Sequence, residues 1–277
     1  MTGMDIAEHE AWFQDYAREQ RALEAVDPGP IDLKLQHTLE VLAMARAITA
    51  ESAPGPELAR ASLLAALYHD VARFEQYRRY RTFRDRESCN HGLMGVKILK
   101  RERRLDGEDP ALRRRVLVAV GLHNRFELPP ALPEDAALVT HVVRDADKLD
   151  ILRVMHENLA GPKPYHPTVV LGLPDDPALV SDSVLRAARE GRVASYSDLK
   201  SVNDLRVLLG TWLFDMHFPA SRRQFAQAGH ARPLLEGLPQ DAAYGDIRAE
   251  LLARLAAVER GGAAHRRDCG PAQRGQP

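Results

Sequence analysis

The sequence predicts an all-α fold, and three observations predict it. Its eighteen prolines fall in groups at 28 and 30, 54 and 56, 110, 129–133, 162–177, 219, 233, 239 and the tail, with long proline-free stretches between. Those stretches are rich in Ala, Leu, Arg and Glu, which are good helix formers. Their apolar residues recur at three and four, and no alternating run of useful length marks a strand.

Proline stops a helix and glycine closes one, so the PGP triplets at 28–30 and 54–56 read as turns. Taken in order, the pattern predicts helices over 5–25, 31–51, 56–73, 89–105, 110–124, 134–160, 178–190, 199–218, 221–237 and 241–260. The stretch 31–51 carries the stripe Leu33, Val41, Met44 and Ile48, and 56–73 contains LARASLLAALYHDVAR with small Ala65 and Ala66 that let another helix approach. Gly95, Ile98 and Leu99 mark 89–105, Leu112, Val116, Ala119 and Val120 mark 110–124, and Val143, Ile151 and Val154 mark 134–160. The segment 161–177, with five prolines and two glycines, is the longest irregular stretch and reads as a lid or a crossover. Residues 261–277 lack apolar periodicity and are expected to be a disordered tail. The expected organisation is a single helical domain over 1–260, with a core at about 31–156 and a C-terminal helical extension over 178–260.

With 277 residues, 45% of them hydrophobic, the chain can bury a substantial core. A formal net charge of −1 gives no long-range pull toward duplex nucleic acid or acidic lipid. Two cysteines far apart, Cys89 and Cys269, and an acidic start without a secretory apolar region point to a reducing cytoplasm, and they exclude a disulfide framework and a thiolate zinc cluster. No apolar run approaches the roughly 20 residues that span a bilayer. Against two cysteines stand eleven histidines, so imidazole and carboxylate are the ligands available to a metal.

An ionisable residue that interrupts an apolar stripe needs a partner or a metal. His37 lies in line with Leu33, Val41 and Ile48, while His69 and Asp70 stand above Ala65 and Ala66. His91 heads one stripe, His123 ends another, and Asp147 falls in register with Val143, Ile151 and Val154. A single histidine on such a stripe is more often a hydrogen-bonded core residue than a ligand, and His156 and His217 are read that way. His141 sits on a mixed face with Asp145 and Lys148, and His9, His230 and His265 lie in terminal or loop segments. An adjacent His-Asp pair, with a histidine upstream and an aspartate downstream on separate helices, makes a nitrogen and oxygen site for Mn, Fe, Co, Ni, Zn or Mg rather than for a soft metal.

This order resembles the HD-domain superfamily of metal-dependent phosphohydrolases, whose signature is His, then His-Asp, then Asp along a helical bundle. The matching segments are LKLQHTLEV, ALYHDVARFEQ and RDADKLDIL, with CNHGLMGVKIL and VGLHNRFELP between the last two. The longer order, with His91 and His123, resembles members that hold two metals. By that resemblance His37, His69, Asp70 and Asp147 bind one metal, His91 and His123 bind a second, and Asp70 bridges them. Asp145 and Asp150 compete for the last place, but the family aspartate follows a small residue, as Asp147 follows Ala146. Asp150 shares a face with Arg153 and Glu157 and is expected to be solvated.

The resemblance implies hydrolysis of a phosphomonoester or phosphodiester, with a nucleotide among the candidate substrates and Asp70 and Arg73 as catalytic residues; Lys148, next to Asp147, is a second cationic candidate, and a 100° step could equally turn it to solvent. Arg73 occupies a position where relatives carry a functional side chain, and its guanidinium suits a phosphate oxygen. Arg78, Arg79 and Arg81, in YRRYRTFRDR with Arg84 and Arg86, form the one local cationic cluster and are candidates for binding an anionic substrate. The bland alternative is a solvated loop neutralised by Asp85 and Glu87. Tyr77, Tyr80 and Phe83 interleave with it, to stack a base or to pack inward. Two further readings stay open: a di-iron oxygenase with the same ligand order, and a regulatory module that binds a nucleotide without turnover. A homo-oligomer is compatible with all three.

Overall fold

The computed structural model describes residues 5–241 and 243–261, so the tail expected over 261–277 lies outside the described residues except for Gly261. Among the described residues every regular element is helical, and no helix is long and apolar enough to cross a membrane. The α-helices are α1 Ala7–Ala22, α2 Gly29–Ser52, α3 Pro56–Tyr68, α4 Ala72–Tyr80, α5 His91–Arg101, α6 Pro110–Leu122, α7 Glu134–Leu159, α8 Asp182–Arg189, α9 Val202–Thr211, α10 Pro219–Gln227, α11 Ala231–Glu236 and α12 Gly245–Glu259.

The punctuation read from the sequence sets the helix ends. Pro30, Pro56 and Pro110 lie in the first turns of α2, α3 and α6, where a missing N–H costs nothing. Asp109 caps α6 by accepting from the N–H groups of Ala111 and Leu112, and Asn90 caps α5 by accepting from Leu93.

Two predicted helices are broken. The stretch 56–73 stops at Tyr68, turns through 69–71 and resumes as α4, which carries Arg73 and also takes Arg78 and Arg79 onto a helix and not into a loop. The stretch 221–237 divides into α10 and α11 around Gly229, whose φ of +80° favours glycine.

The chain forms two compact units, one running to Gly172 and including His217–Gln224, the other Leu173–Met216 and from Phe225 onward. In the first unit α3 packs on α2, α6 and α7, and α5 packs on α6. Its residues from Ala61 to Tyr68 are all buried, Ala65 and Ala66 completely. A helix apolar on every side belongs at the centre of a bundle, and its C-terminal end delivers His69 and Asp70 into the middle of that unit. In the second unit α9 is buried along its whole length and packs on α8, α11 and α12.

Candidate metal centre

His69 is the C-cap just after α3 and Asp70 follows in the turn, His91 is the first residue of α5, His123 is the C-cap just after α6, and His37 and Asp147 project from inside α2 and α7. Apart from Asp147, which is half-buried, all are buried. The six predicted ligands therefore converge in the first unit.

Asp70 stands at the centre. Its Oδ2 lies 3.6 Å from Nε2 of His37 and 3.6 Å from Nε2 of His69. Its Oδ1 lies 3.5 Å from Nε2 of His91 and 3.9 Å from Nε2 of His123. Asp147 Oδ1 joins the first pair, 3.1 Å from His37 Nε2 and 3.7 Å from His69 Nε2. Two donor groups, His37 with His69 and His91 with His123, thus share one carboxylate.

The far side of each imidazole is tied down. His37 Nδ1 meets Asp150 Oδ2 at 2.6 Å and His91 Nδ1 meets Asp85 Oδ2 at 2.7 Å. His69 Nδ1 meets the carbonyl of Ala66 at 2.7 Å, and His123 Nδ1 that of Val120 at 2.8 Å. Carbonyls and ionised carboxylates only accept, so all four Nδ1 atoms carry the proton and all four Nε2 lone pairs face Asp70. Each pair has one ring held by a carboxylate and one by the helix backbone.

This arrangement fits divalent cations. Nε2 of His37 and of His69 are buried without a hydrogen-bond partner, and Nε2 of His91 and His123 face each other at 3.0 Å with no proton to share. Electrostatics point the same way. Burial opposes ionisation of Asp70 and Asp147, yet Lys34, His69 and Arg73 around the first, and His37 and His69 around the second, hold both carboxyls well below the usual range. Burial, with His91 and His69 alongside, pushes His123 down to about 3, so it stays a neutral donor. Burial acts against a charged His69 too, but Asp70 and Asp147 outweigh it and raise its pKa, so the first group attracts positive charge.

The remaining candidates separate. Arg73 reaches the centre: its Nε lies 3.2 Å from Asp70 Oδ1, and its Nη1 donates to Gln76 Oε1 at 2.8 Å, the Phe83 carbonyl at 2.6 Å and Asp85 Oδ1 at 3.2 Å. Arg78 is bonded to Gln20, Arg79 to Glu75 and Arg81 to Glu24, so the structure does not bring these three to Asp70. Lys148, next to Asp147 on α7, acts electrostatically on Asp145.

Asp145 is buried and accepts from the backbone N–H groups of His217 and Phe218, just before α10; burial raises its pKa. Asp150 requires correction: it is not solvated but fully buried, because it bonds His37 on one side while Arg153 folds over it with Nε at 2.6 Å and Nη2 at 3.1 Å. His9 also differs from expectation, since it is buried on α1 between the Tyr68 hydroxyl and Glu108.

Three participants had not been singled out. Lys34, one helical turn before His37, places Nζ 2.6 Å from Asp70 Oδ2, and that spacing was the available signal. Asp85 collects His91, Arg73, Gln76 and Asn124, and Asn124 directly follows His123.

The family model of the HD domain matches residues 35–152. The chain carries an HD domain. The match falls inside the 31–156 core and includes all six converging residues, and an HD domain implies a superfamily of metal-dependent hydrolases. Comparison with curated proteins and with solved structures gives no match.

Proposed function

We propose that this HD-domain protein is a phosphohydrolase, a phosphatase or phosphodiesterase, that works with two divalent cations. His37, His69, Asp70 and Asp147 would hold the first and Asp70, His91 and His123 the second. The observation that carries this reading is the placement of Asp70, one oxygen toward each pair of imidazoles.

Two divalent cations bound there supply a nucleophile from water near neutral pH and offset the charge of phosphoryl oxygens. The chain's own residues do the rest. Asp150 and Asp85 fix the rings of His37 and His91, and the helix carbonyls of Ala66 and Val120 fix the other two. Arg73, anchored through Nε and Nη1, leaves Nη2 to donate to a substrate oxygen, and its rigid fork sets the direction of approach. On this reading the phosphate rests on Arg73 rather than on Arg78, Arg79 and Arg81, whose guanidinium groups have protein partners.

The test is turnover of a chromogenic phosphoester and a panel of nucleotides by protein loaded with Mn, Co or Ni, with Asp70→Ala as the inactive control. Protein that holds two metals yet hydrolyses nothing in the panel overturns the reading. Oxygen consumption by the iron-loaded protein would instead establish the oxygenase.

A further inference from the structure

The ammonium of Lys34 stands 2.6 Å from Asp70 Oδ2, the oxygen that faces both His37 Nε2 and His69 Nε2. It satisfies the carboxylate but not the imidazoles, whose Nε2 atoms keep no hydrogen-bond partner. A divalent cation satisfies both, and it repels an ammonium held at the same oxygen. Lys34 has somewhere to go. Its Nζ lies 5.5 Å from the centroid of the Phe83 ring, and the guanidinium carbon of Arg73 lies 5.6 Å from the same centroid. Aromatic faces attract cations within about 6 Å, so the half-buried Phe83 ring is a perch shared by both side chains.

We propose that Lys34 is an exchangeable counter-ion of the metal centre. It neutralises Asp70 in the metal-free protein, yields Oδ2 to the first divalent cation, and, held by the Phe83 face over which it already lies, turns toward Arg73, where it takes an oxygen of a phosphate-type anion. The exchange itself is a statement about metal binding; only the last step rests on the phosphohydrolase reading.

Lys34→Met tests it by titration of Mn into the full chain, followed by titration of inorganic phosphate into the Mn-loaded protein. Removing the competing charge should tighten the first Mn by about tenfold or more and weaken phosphate by a similar factor, as expected for a direct charge contact. Lys34→Arg, which keeps the charge, should bind Mn like the wild type. Unchanged or weaker Mn binding by Lys34→Met overturns the exchange, and unchanged phosphate binding overturns its last step. Should Lys34→Met fail to fold, a crystal structure of the Mn-loaded wild type decides: the Nζ to Oδ2 separation should exceed about 3.5 Å, and a retained hydrogen bond overturns the proposal. Tightened Mn binding with no turnover of any phosphoester would sink the function and leave the exchange standing; turnover with unchanged Mn affinity would do the reverse.

Discussion

Replacing Asp150 by Asn removes one negative charge behind His37 while keeping the side chain's shape. In the native protein that carboxylate is fully buried, accepts from His37 Nδ1 at 2.6 Å and is clasped by Arg153. A hydrogen bond to a charged group contributes about 1.5–3 kcal/mol. Removing a partner behind a metal-ligating histidine weakens metal binding about 10–100-fold, which is about 1.4–2.8 kcal/mol, in agreement. Arg153 still has Glu157, at 2.9 and 3.0 Å, so the substitution does not strand a buried charge and the fold should persist. Asp150→Asn should therefore weaken the first metal about 10–100-fold and leave the second unchanged, measured by competition titration against a chelator of known affinity. Asp85→Asn should do the converse. A first-site affinity within about twofold of wild type, or an equal loss at both sites, would refute the division of the centre into two groups each with its own supporting carboxylate.

Four other outcomes are expected. Asp70→Ala should abolish binding of both ions by elemental analysis after dialysis, whereas His123→Ala should remove only one. Gly92→Ala would place a Cβ 2.8 Å from the carbonyl of Val120, and forcing α5 away from α6 should lower stability by about 1–3 kcal/mol in a denaturant melt. Glu24, held down to about 2 by its hydrogen bond from Arg81, contributes stability that is present above its unfolded pKa of 4.5 and is lost as pH falls toward 2; Glu24→Gln should flatten the thermal midpoint over that window. The single domain expected over 1–260 should give one calorimetric transition although the chain divides into two compact units, and two resolved transitions would refute it.

Much of the candidate centre was legible because its converging residues sit on or at the ends of helices whose apolar stripes they interrupt. A 100° step puts His37 and Asp147 in line with apolar stripes, but the choice of these residues over other histidines, Asp145 and Asp150, and their convergence, came from the family order. Misreadings arose where tertiary packing, not local pattern, decides. Nothing in the residues at 69–71 is a helix breaker, so the pattern hides the turn after Tyr68 and the helix that resumes there to carry Arg78 and Arg79. Asp150 shares a face with Arg153 and Glu157, as expected, but Arg153 covers Asp150 while Glu157 stays exposed, and no periodicity distinguishes a solvated carboxylate from one buried against a histidine of another helix. Asp85 reaches His91 from a short turn and left no periodic trace.

The orientation of the four imidazoles has a consequence for the lifetime of the protein. Because every Nδ1 is already engaged, folding by itself gathers four lone pairs and two carboxylates at one point. The folded chain then holds buried donor atoms without hydrogen-bond partners, which the unfolded chain leaves to water. Ions that bind only the folded state stabilise it by mass action, about 2.7 kcal/mol for each site at a hundredfold excess over its dissociation constant. The metal supply would then set how much of the protein escapes proteolysis as well as how much is active, and abundance would follow metal availability even in a variant that cannot turn over substrate.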